Sequence, residues 1–340
     1  MSALIKFIEF HHPKNVLTNE MLGEQFPDWS VSKIYEKTGI NNRYISDENE
    51  CASDLAYHAI NKLLISNDIN KDDIDYLILC TQSSDYKLPT TACILQHRVG
   101  LSNNVGAIDI NQGCSGFVYG LGLAKGLIDS GQAKGVLLVT ADTYSKYINK
   151  ADRSVRTLFG DAACATFITD DLQETEDSIG PFIYGTDGKG AENLIVPHGG
   201  SRNPINEDSF IESTDESGNK RHSSNLYMNG AEVFAFTLKS VKNELNKLYL
   251  KSGLSIDDID HFVFHQPNKF MLDTLRKACK IPEEKFHRSY QNYGNTVSST
   301  IPIGLNILMN ERKLKKGDTV LVIGFGVGYS SAATLIKWGY

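Results

Sequence analysis

The sequence contains few cysteines, and their spacing excludes two classes of protein. The six cysteines lie far apart, without the short spacings of a metal site or the density of a disulfide framework. They are Cys51, Cys80, Cys93, Cys114, Cys164 and Cys279. We therefore expect no metal centre and no resident cofactor, and we expect most of these side chains to be small core residues.

Long apolar runs and an excess of basic residues are also missing. No apolar stretch of about 18 residues occurs, and residues 1–6 lead directly into a strand-like segment, so we expect neither a membrane span nor a signal peptide. The formal net charge of −7 argues against binding to nucleic acid. With 340 residues, 41% hydrophobic and 22% charged, the chain is typical of a globular enzyme, and we expect a cytoplasmic location.

The hydrophobic pattern predicts an α/β protein. Short apolar runs alternate with helical patterns, as in a buried and mostly parallel sheet. The predicted strands are 76–81, 105–110, 135–141, 163–168, 261–264 and 319–324, and the predicted helices are 53–66, 91–99, 115–130, 231–250 and 269–279. The polar stretch 199–224 follows no period, and we expect a mobile surface insertion without regular structure there.

Cys114 stands at a predicted junction between a strand and a helix. The turn Asn111-Gln112-Gly113 follows the strand, and apolar residues recur at helical spacing from Phe117 onward. A helix N-terminus favours a thiolate, and Gly113 and Gly116 leave room for a ligand to approach the backbone. This setting is typical of a nucleophile with a lowered pKa. The alternative is a small buried residue that fills a gap.

An internal repeat predicts where the partners of Cys114 lie. Three pairs of segments match in the same order, at an offset near 185 (257 − 72 for the first pair): 72–82 with 257–267, 111–115 with 291–298, and 134–139 with 316–322. The repeat predicts two similar halves, residues 1–175 and 176–340, related by a pseudo-twofold axis. Cys114 then matches Asn295, and His265 follows the second copy of the early strand. We expect these three side chains to converge.

Several short motifs resemble those of a known family. They are GCSGF at 113–117, HQPN at 265–268, YGNT at 293–296 and GFGVG at 324–328, with further matches in KTGI at 37–40, FGDAA at 159–163 and MNGAEVF at 228–234. From about residue 2 to the C terminus, the chain resembles the β-ketoacyl-acyl-carrier-protein synthase III family of the thiolase superfamily. The resemblance implies a thiolase-like fold, with two pseudo-twofold halves in a five-layered α-β-α-β-α arrangement.

The resemblance also implies a catalytic set of Cys114, His265 and Asn295. Elongating ketoacyl synthases have a second histidine in place of the asparagine, and thiolases have a second cysteine. Cys114 would take an acyl group from a coenzyme A or phosphopantetheine thioester, with the N–H groups of Cys114 and Val327 as the oxyanion hole. His265 and Asn295 would donate to the enolate that a malonyl thioester leaves when it loses carbon dioxide. The product would be a 3-oxoacyl thioester for fatty-acid, specialised lipid or polyketide synthesis.

The substrate-binding residues are expected on several segments. Leu88 lies in 85–90, which resembles the loop that reaches into the partner's acyl pocket in homodimers of this family. It replaces a phenylalanine that limits chain length, which suggests a longer or branched acyl group. Phe325 would supply an apolar wall. Three basic residues on one side of a predicted helix would contact an acidic acyl carrier protein, although a solvated helix face explains them equally well: Lys269, Arg276 and Lys277.

Two positions depart from the family pattern. Phe270 stands where an arginine is usual, and Lys33 stands where a tryptophan stacks on the adenine of coenzyme A. Arg153, on the other side of that adenine, is retained. We therefore expect an altered donor site that favours a carrier-protein donor.

Two other functions remain open from the sequence. An acyltransferase would move the acyl group from Cys114 to an oxygen or nitrogen nucleophile, and such relatives often change the asparagine. A scaffold subunit without activity would typically lose the nucleophile. Because Cys114, His265 and Asn295 are all present, the sequence favours the condensing enzyme.

Overall fold

The structure is a computed structural model that describes residues 2–171 and 178–339. The strands are β1 (Ser2–His11), β2 (Asn15–Thr18), β3 (Asn42–Ile45), β4 (Tyr76–Cys80), β5 (Gly106–Ile110), β6 (Gly135–Asp142), β7 (Ala162–Asp171), β8 (Ile179–Thr186), β9 (Leu194–Ile195), β10 (Ser213–Thr214), β11 (Lys220–Arg221), β12 (Tyr227–Met228), β13 (His261–Phe264), β14 (Thr319–Gly326) and β15 (Ser330–Lys337). The α-helices are α1 (Asn19–Gln25), α2 (Val31–Thr38), α3 (Ala52–Ser66), α4 (Thr91–Val99), α5 (Gly116–Asp129), α6 (Arg153–Arg156), α7 (Gly230–Ser252), α8 (Lys269–Ala278) and α9 (Thr300–Asn310). The predicted strands and helices are confirmed within a few residues at each end. The expected boundary at residues 175 and 176 lies outside the described residues.

Two mixed sheets form the framework. The larger sheet has the order β1-β7-β6-β4-β5, with β4 parallel to β5 and β6, and β7 antiparallel to β6 and β1. The smaller sheet has the order β8-β15-β14-β13, with β13 parallel to β14 and β15 antiparallel to both of its neighbours. The expectation of mostly parallel sheets is therefore wrong. A short turn joins β14 to β15, and strands joined in this way must run antiparallel.

The two sheets repeat the same order of strands, as the internal repeat predicts. In the smaller sheet, a parallel bridge between Phe262 and Phe286 occupies the place of the fifth strand. Helices α5 and α9 begin after Ser115 and Ser299, which are 184 residues apart (299 − 115). This alignment pairs Cys114 with residue 298, so the residue-by-residue match of Cys114 with Asn295 is wrong. The cause is a longer turn before α9 than before α5.

Helices and sheets stack in five layers, as expected. Helices α3 and α4 pack against the larger sheet, α5 and α9 lie between the sheets, and α7 packs against the smaller sheet with α8 beside it. Three clusters of buried apolar residues fill the spaces between these layers. Hydroxyl contacts of 2.8 Å tie each central helix to the other half, from Ser115 to Ser330 and from Ser299 to Thr140. Throughout the described residues, every helix is too short or too polar to span a bilayer.

The stretch 199–224 is ordered. A 3-10 helix at Glu207–Phe210 precedes a hairpin of β10 and β11. Arg221 forms salt bridges of 2.8 Å with Asp152 and with Asp215. The expectation of a stretch without regular structure is therefore wrong, because charge pairs hold this segment where apolar periodicity is absent; its mobility stays a prediction.

Candidate active site

The structure brings Cys114, His265 and Asn295 to one cavity of about 400 Å³. Cys114 lies between β5 and α5, His265 directly follows β13, and Asn295 precedes α9. Each side chain is at most 5% exposed. Three residues from distant parts of the chain thus share one buried site, as the repeat predicts.

The β14 strand can approach Cys114 because glycines face it. A Cβ atom at Gly326 would lie 2.7 Å from Cys114 Sγ, and one at Gly324 would lie 2.6 Å from the Cys114 carbonyl oxygen. The backbone N–H groups of Val327 and of Cys114 itself donate toward the thiol. Two backbone donors therefore converge where an acyl group would be attached.

Burial favours the neutral forms of the Cys114 thiol and the His265 imidazole. Burial raises the pKa of Cys114 to about 12, although the N–H of Val327 opposes this rise. Burial also lowers the pKa of His265 to about 3. The lowered cysteine pKa expected at the start of a helix is therefore absent. A helix terminus contributes only about 0.3–1 kcal/mol, and burial of the thiolate outweighs it.

A hydroxyl relay contacts the His265 ring. Its Nδ1 lies 2.7 Å from Thr300 Oγ1, and this hydroxyl donates to the carbonyl of Val297 at 3.1 Å. In the tautomer with its proton on Nδ1, that nitrogen donates to Oγ1 and His265 Nε2 is a proton acceptor. The ring of Phe325 packs edge-on against the imidazole, with ring centroids 5.4 Å apart.

The backbone around Asn295 orients its amide group. Asn295 Oδ1 accepts a hydrogen bond from the N–H of Val297 at 3.0 Å. The Asn295 backbone bridges to the first half, since its N–H donates to Leu158 and its carbonyl accepts from Gly160. Because Oδ1 is engaged by the Val297 N–H, the amide nitrogen Nδ2 points away from the Val297 backbone. Asn295 can therefore serve as a neutral donor.

Aromatic residues surround the mouth and the interior of the cavity. Phe270 is 62% exposed and stacks on Phe234, with ring centroids 5.2 Å apart. Both residues line the cavity, together with the buried Phe325. The position that usually carries an arginine therefore provides an apolar edge to the entrance.

The three basic residues expected on α8 differ in their surroundings. Lys269 and Lys277 are exposed. Arg276 is half-buried, forms a salt bridge of 2.6 Å with Glu283, and donates to the carbonyl of Ile281. Only the two lysines therefore offer free positive charge to a partner protein.

Arg153 has an aromatic partner within the chain. Its guanidinium lies 5.4 Å from the ring centroid of Trp29 and donates to the carbonyl of Ser217. Lys33 and Lys37 place their Nζ atoms 5.5 and 5.2 Å from the same ring. Trp29 lies just before α2, one turn ahead of Lys33, so counting back from the KTGI motif does not find it. The one feature of the sequence that could have drawn attention to Trp29 is the rarity of tryptophan, since the chain has two.

Leu88 lies outside this cavity in the single chain. It is 82% exposed, in the segment between β4 and α4. Asp85, at the start of this segment, is held by the hydroxyl of Ser53 at 2.6 Å. An exposed leucine on an anchored loop suits contact with another chain.

Two pseudo-twofold halves around a Cys/His/Asn cavity define a thiolase-fold condensing enzyme. Family models agree: 3-oxoacyl-[acyl-carrier-protein] synthase III matches residues 108–188, and its C-terminal model matches residues 250–338. A β-ketoacyl-[acyl-carrier-protein] synthase III of Clostridium perfringens is 40% identical over 328 residues, 96% of each chain.

Solved structures agree as well. A 3-oxoacyl-(acyl-carrier-protein) synthase III is 50% identical with a TM-score of 0.98, over 99% of this chain and 100% of that one. A 3-oxoacyl-(acyl-carrier-protein) synthase of Burkholderia xenovorans is 36% identical with a TM-score of 0.90, over 100% and 95%. The chain belongs to the β-ketoacyl-[acyl-carrier-protein] synthase III family. It is a condensing acyltransferase, and this function is supported over acyl transfer to oxygen or nitrogen.

Proposed function

We propose that Cys114, His265 and Asn295 carry out the condensation in two steps. In the first step, the Cys114 sulfur attacks the carbonyl carbon of an acyl thioester, a new carbon–sulfur bond forms, and the bond to the departing thiol breaks. His265 Nε2 accepts the Cys114 proton and passes it to the departing thiolate. The observation that supports this step is that Cys114 and His265 line the same buried cavity, where Thr300 holds the imidazole through Nδ1 and two backbone N–H groups face the thiol.

In the second step, a malonyl thioester releases carbon dioxide, and the electron pair of the broken bond forms an enolate. The enolate carbon attacks the acyl-Cys114 carbonyl, and the cysteine leaves as a thiolate that takes a proton from solvent. Asn295 Nδ2 donates to the enolate oxygen, and the N–H groups of Cys114 and Val327 donate to the acyl oxygen. In its other neutral tautomer, His265 has the proton on Nε2 and donates to the same enolate oxygen, as the family resemblance implies.

The surface near the entrance suits an acidic carrier protein. Lys269 and Lys277 are exposed on α8, and α2 lies beside the start of α8, where a Cβ atom at Gly39 would lie 2.6 Å from Lys269 Cβ. Lys33 and Lys37 add positive charge on α2. We infer that the extender is malonyl-carrier protein, while the acyl donor arrives on coenzyme A or a carrier protein.

We also propose a homodimer that works in the cytoplasm. In the described part of the chain, β5 pairs with a strand on one side only, and a groove of about 280 Å³ beside it is lined by Ile108 and the half-exposed Leu123. Pairing of β5 with its copy would cover this groove. The same assembly would let Leu88 reach the acyl pocket of the partner.

The carrier site can be tested by charge reversal. In a Lys269→Glu, Lys277→Glu variant, we expect KM to rise roughly tenfold for malonyl-carrier protein and to change little for malonyl-pantetheine, which lacks the acidic surface. Lys316→Glu is the matched control, since Lys316 is exposed just before β14, at the end of that strand away from Gly326. An unchanged KM for malonyl-carrier protein in the double variant would contradict the proposed docking face.

A further inference from the structure

A second cavity, of about 480 Å³, adjoins the nucleophile. Leu194 lines both this cavity and the one that contains Cys114. Val327, whose N–H faces the thiol, also lines the second cavity. So does Gln82, whose Oε1 would lie 2.7 Å from a Cβ atom at Gly113. The second cavity therefore begins at residues that touch Cys114 or its neighbour in the chain.

One side of this cavity is a hydrogen-bonded set of Gln82, Asn111 and Tyr144, which we call the polar wall. Gln82 Nε2 donates to Asn111 Oδ1 at 3.1 Å, and the Tyr144 hydroxyl donates to Gln82 Oε1. The backbone of Gln82 is fixed as well. Its N–H donates to the buried Asp142 at 2.8 Å, and its carbonyl accepts from the Tyr147 hydroxyl at 3.0 Å. The Gln82 side chain is therefore held against the cavity.

The polar wall retains donors for a ligand. Each primary amide has two N–H groups. Among the described residues, contacts engage one amide N–H of Gln82 and none of Asn111. An alkyl chain placed here would remove these donors from water without replacing their hydrogen bonds, which is unfavourable. A hydroxyl or carbonyl oxygen on the chain would accept from them.

Under the proposed function, the acyl chain carried by Cys114 extends into the second cavity. We propose that the polar wall selects chains with a hydroxyl or keto oxygen over plain alkyl chains. This inference depends on the proposed function, in which Cys114 carries the acyl group. The thioester arm occupies the first cavity, which opens at the exposed Phe270. The acyl group then extends past Leu194 and Val327 to Gln82 and Asn111.

Competition between matched donors tests the selectivity. Coenzyme A thioesters of equal length are mixed in pairs, butyryl with 3-hydroxybutyryl and hexanoyl with 5-oxohexanoyl, and the masses of acyl-Cys114 are compared. We expect the oxygenated chain to be favoured roughly tenfold or more in at least one pair. Gln82→Met keeps a side chain of similar length without the amide, and it should bring that ratio to within about twofold of one.

Two further variants keep the test decisive. Asn111→Leu changes an exposed residue of the same wall and should also reduce the preference, even where Gln82→Met does not fold. Gln25→Met makes the same chemical change at an exposed residue at the end of α1, which lines neither cavity, and should keep the wild-type ratio.

The possible failures can be told apart. A wild-type ratio near or below one for both pairs, with Cys114 acylated, would overturn the selectivity and leave the proposed function standing. The same holds for a preference that survives both Gln82→Met and Asn111→Leu. If no donor acylates Cys114, both proposals fail.

Discussion

The backbone of Val297 orients both Asn295 and His265. The N–H of Val297 donates to Asn295 Oδ1 at 3.0 Å, and its carbonyl accepts from the Thr300 hydroxyl that contacts His265 Nδ1. Val297 adopts a left-handed conformation with φ of 54°, which is uncommon for a β-branched residue. One turn therefore sets the donor atom of the asparagine and holds the imidazole of the histidine.

Asn295→Ala should separate the two steps. Loss of one neutral donor is expected to slow condensation by roughly 10²–10³, because the enolate oxygen loses its partner. Acylation of Cys114 should continue, since it uses the backbone donors of Cys114 and Val327. The measurements are radiolabel transfer to the enzyme and carbon dioxide release. Asn310→Ala, at the end of α9, is the control, and an equal loss of both steps in Asn295→Ala would contradict this division.

Gly326→Ala should block the first step. The added Cβ would lie 2.7 Å from Cys114 Sγ and would displace the thiol. We expect acylation to slow by roughly 10²-fold, as for other misplacements of a reacting atom. Gly188→Ala is the matched control, because a Cβ there meets no atom within 4 Å. Stopped-flow detection of the released thiol measures the acylation rate. A wild-type rate in Gly326→Ala would be inconsistent with the close approach of residue 326 to Cys114 Sγ.

The alkylation rate of Cys114 should keep rising with pH. Because burial raises the pKa of Cys114 to about 12, the thiolate fraction should increase about tenfold per pH unit between roughly pH 7 and 10. Iodoacetamide labelling followed by peptide mass spectrometry measures this rate, with Cys114→Ser to identify the labelled site. A plateau below about pH 9 would show a lowered cysteine pKa instead.

Asp142 should make stability depend on pH. Burial raises the pKa of this carboxyl group from 3.8 to about 7, so the folded state binds the proton more tightly than the unfolded state. The free energy of unfolding should therefore fall as pH rises from about 4 to 7, and this cost should remain at higher pH. Asp142→Asn removes the charge. The denaturant midpoint of unfolding is measured for both proteins, and the excess of the variant over the wild type should grow between pH 4 and 8. A constant difference would contradict the raised pKa of Asp142.

Leu88 should influence the acyl group only through the dimer. We expect light scattering to give twice the chain mass of 37.7 kDa. Leu88→Phe should lower kcat/KM for six- to eight-carbon donors more than for acetyl donors, since a larger side chain fills the partner's pocket. Lys87→Ala, one residue earlier, serves as the control. A monomer in solution would contradict the assembly.

The sequence is sufficient to predict the two similar sheets, and the family resemblance implies the five layers. The predicted strand at 261–264 coincides with β13, and the internal repeat correctly implies two sheets of the same strand order. The strand follows from apolar periodicity, which is a local property of the chain, and the strand order follows from the similarity between its two halves.

Other features depend on contacts between distant residues. The pKa of Cys114 depends on burial by the other half of the chain, which outweighs the helix terminus visible in the sequence. The aromatic partner of Arg153 is Trp29, which neither spacing nor motif identifies. The salt bridges of Arg221 order a segment whose polar composition suggests disorder. Each of these requires the three-dimensional structure.

The central claim is that Cys114 holds the acyl group while a malonyl thioester loses carbon dioxide. The most direct measurement follows one reaction by two signals, the mass of the acyl-enzyme and the carbon dioxide released from malonyl-carrier protein. We expect an acyl mass on Cys114 that disappears as one equivalent of carbon dioxide and of 3-oxoacyl thioester forms. An acylated Cys114 that passes its acyl group to an alcohol or amine, with no carbon dioxide from any malonyl thioester, would contradict the claim.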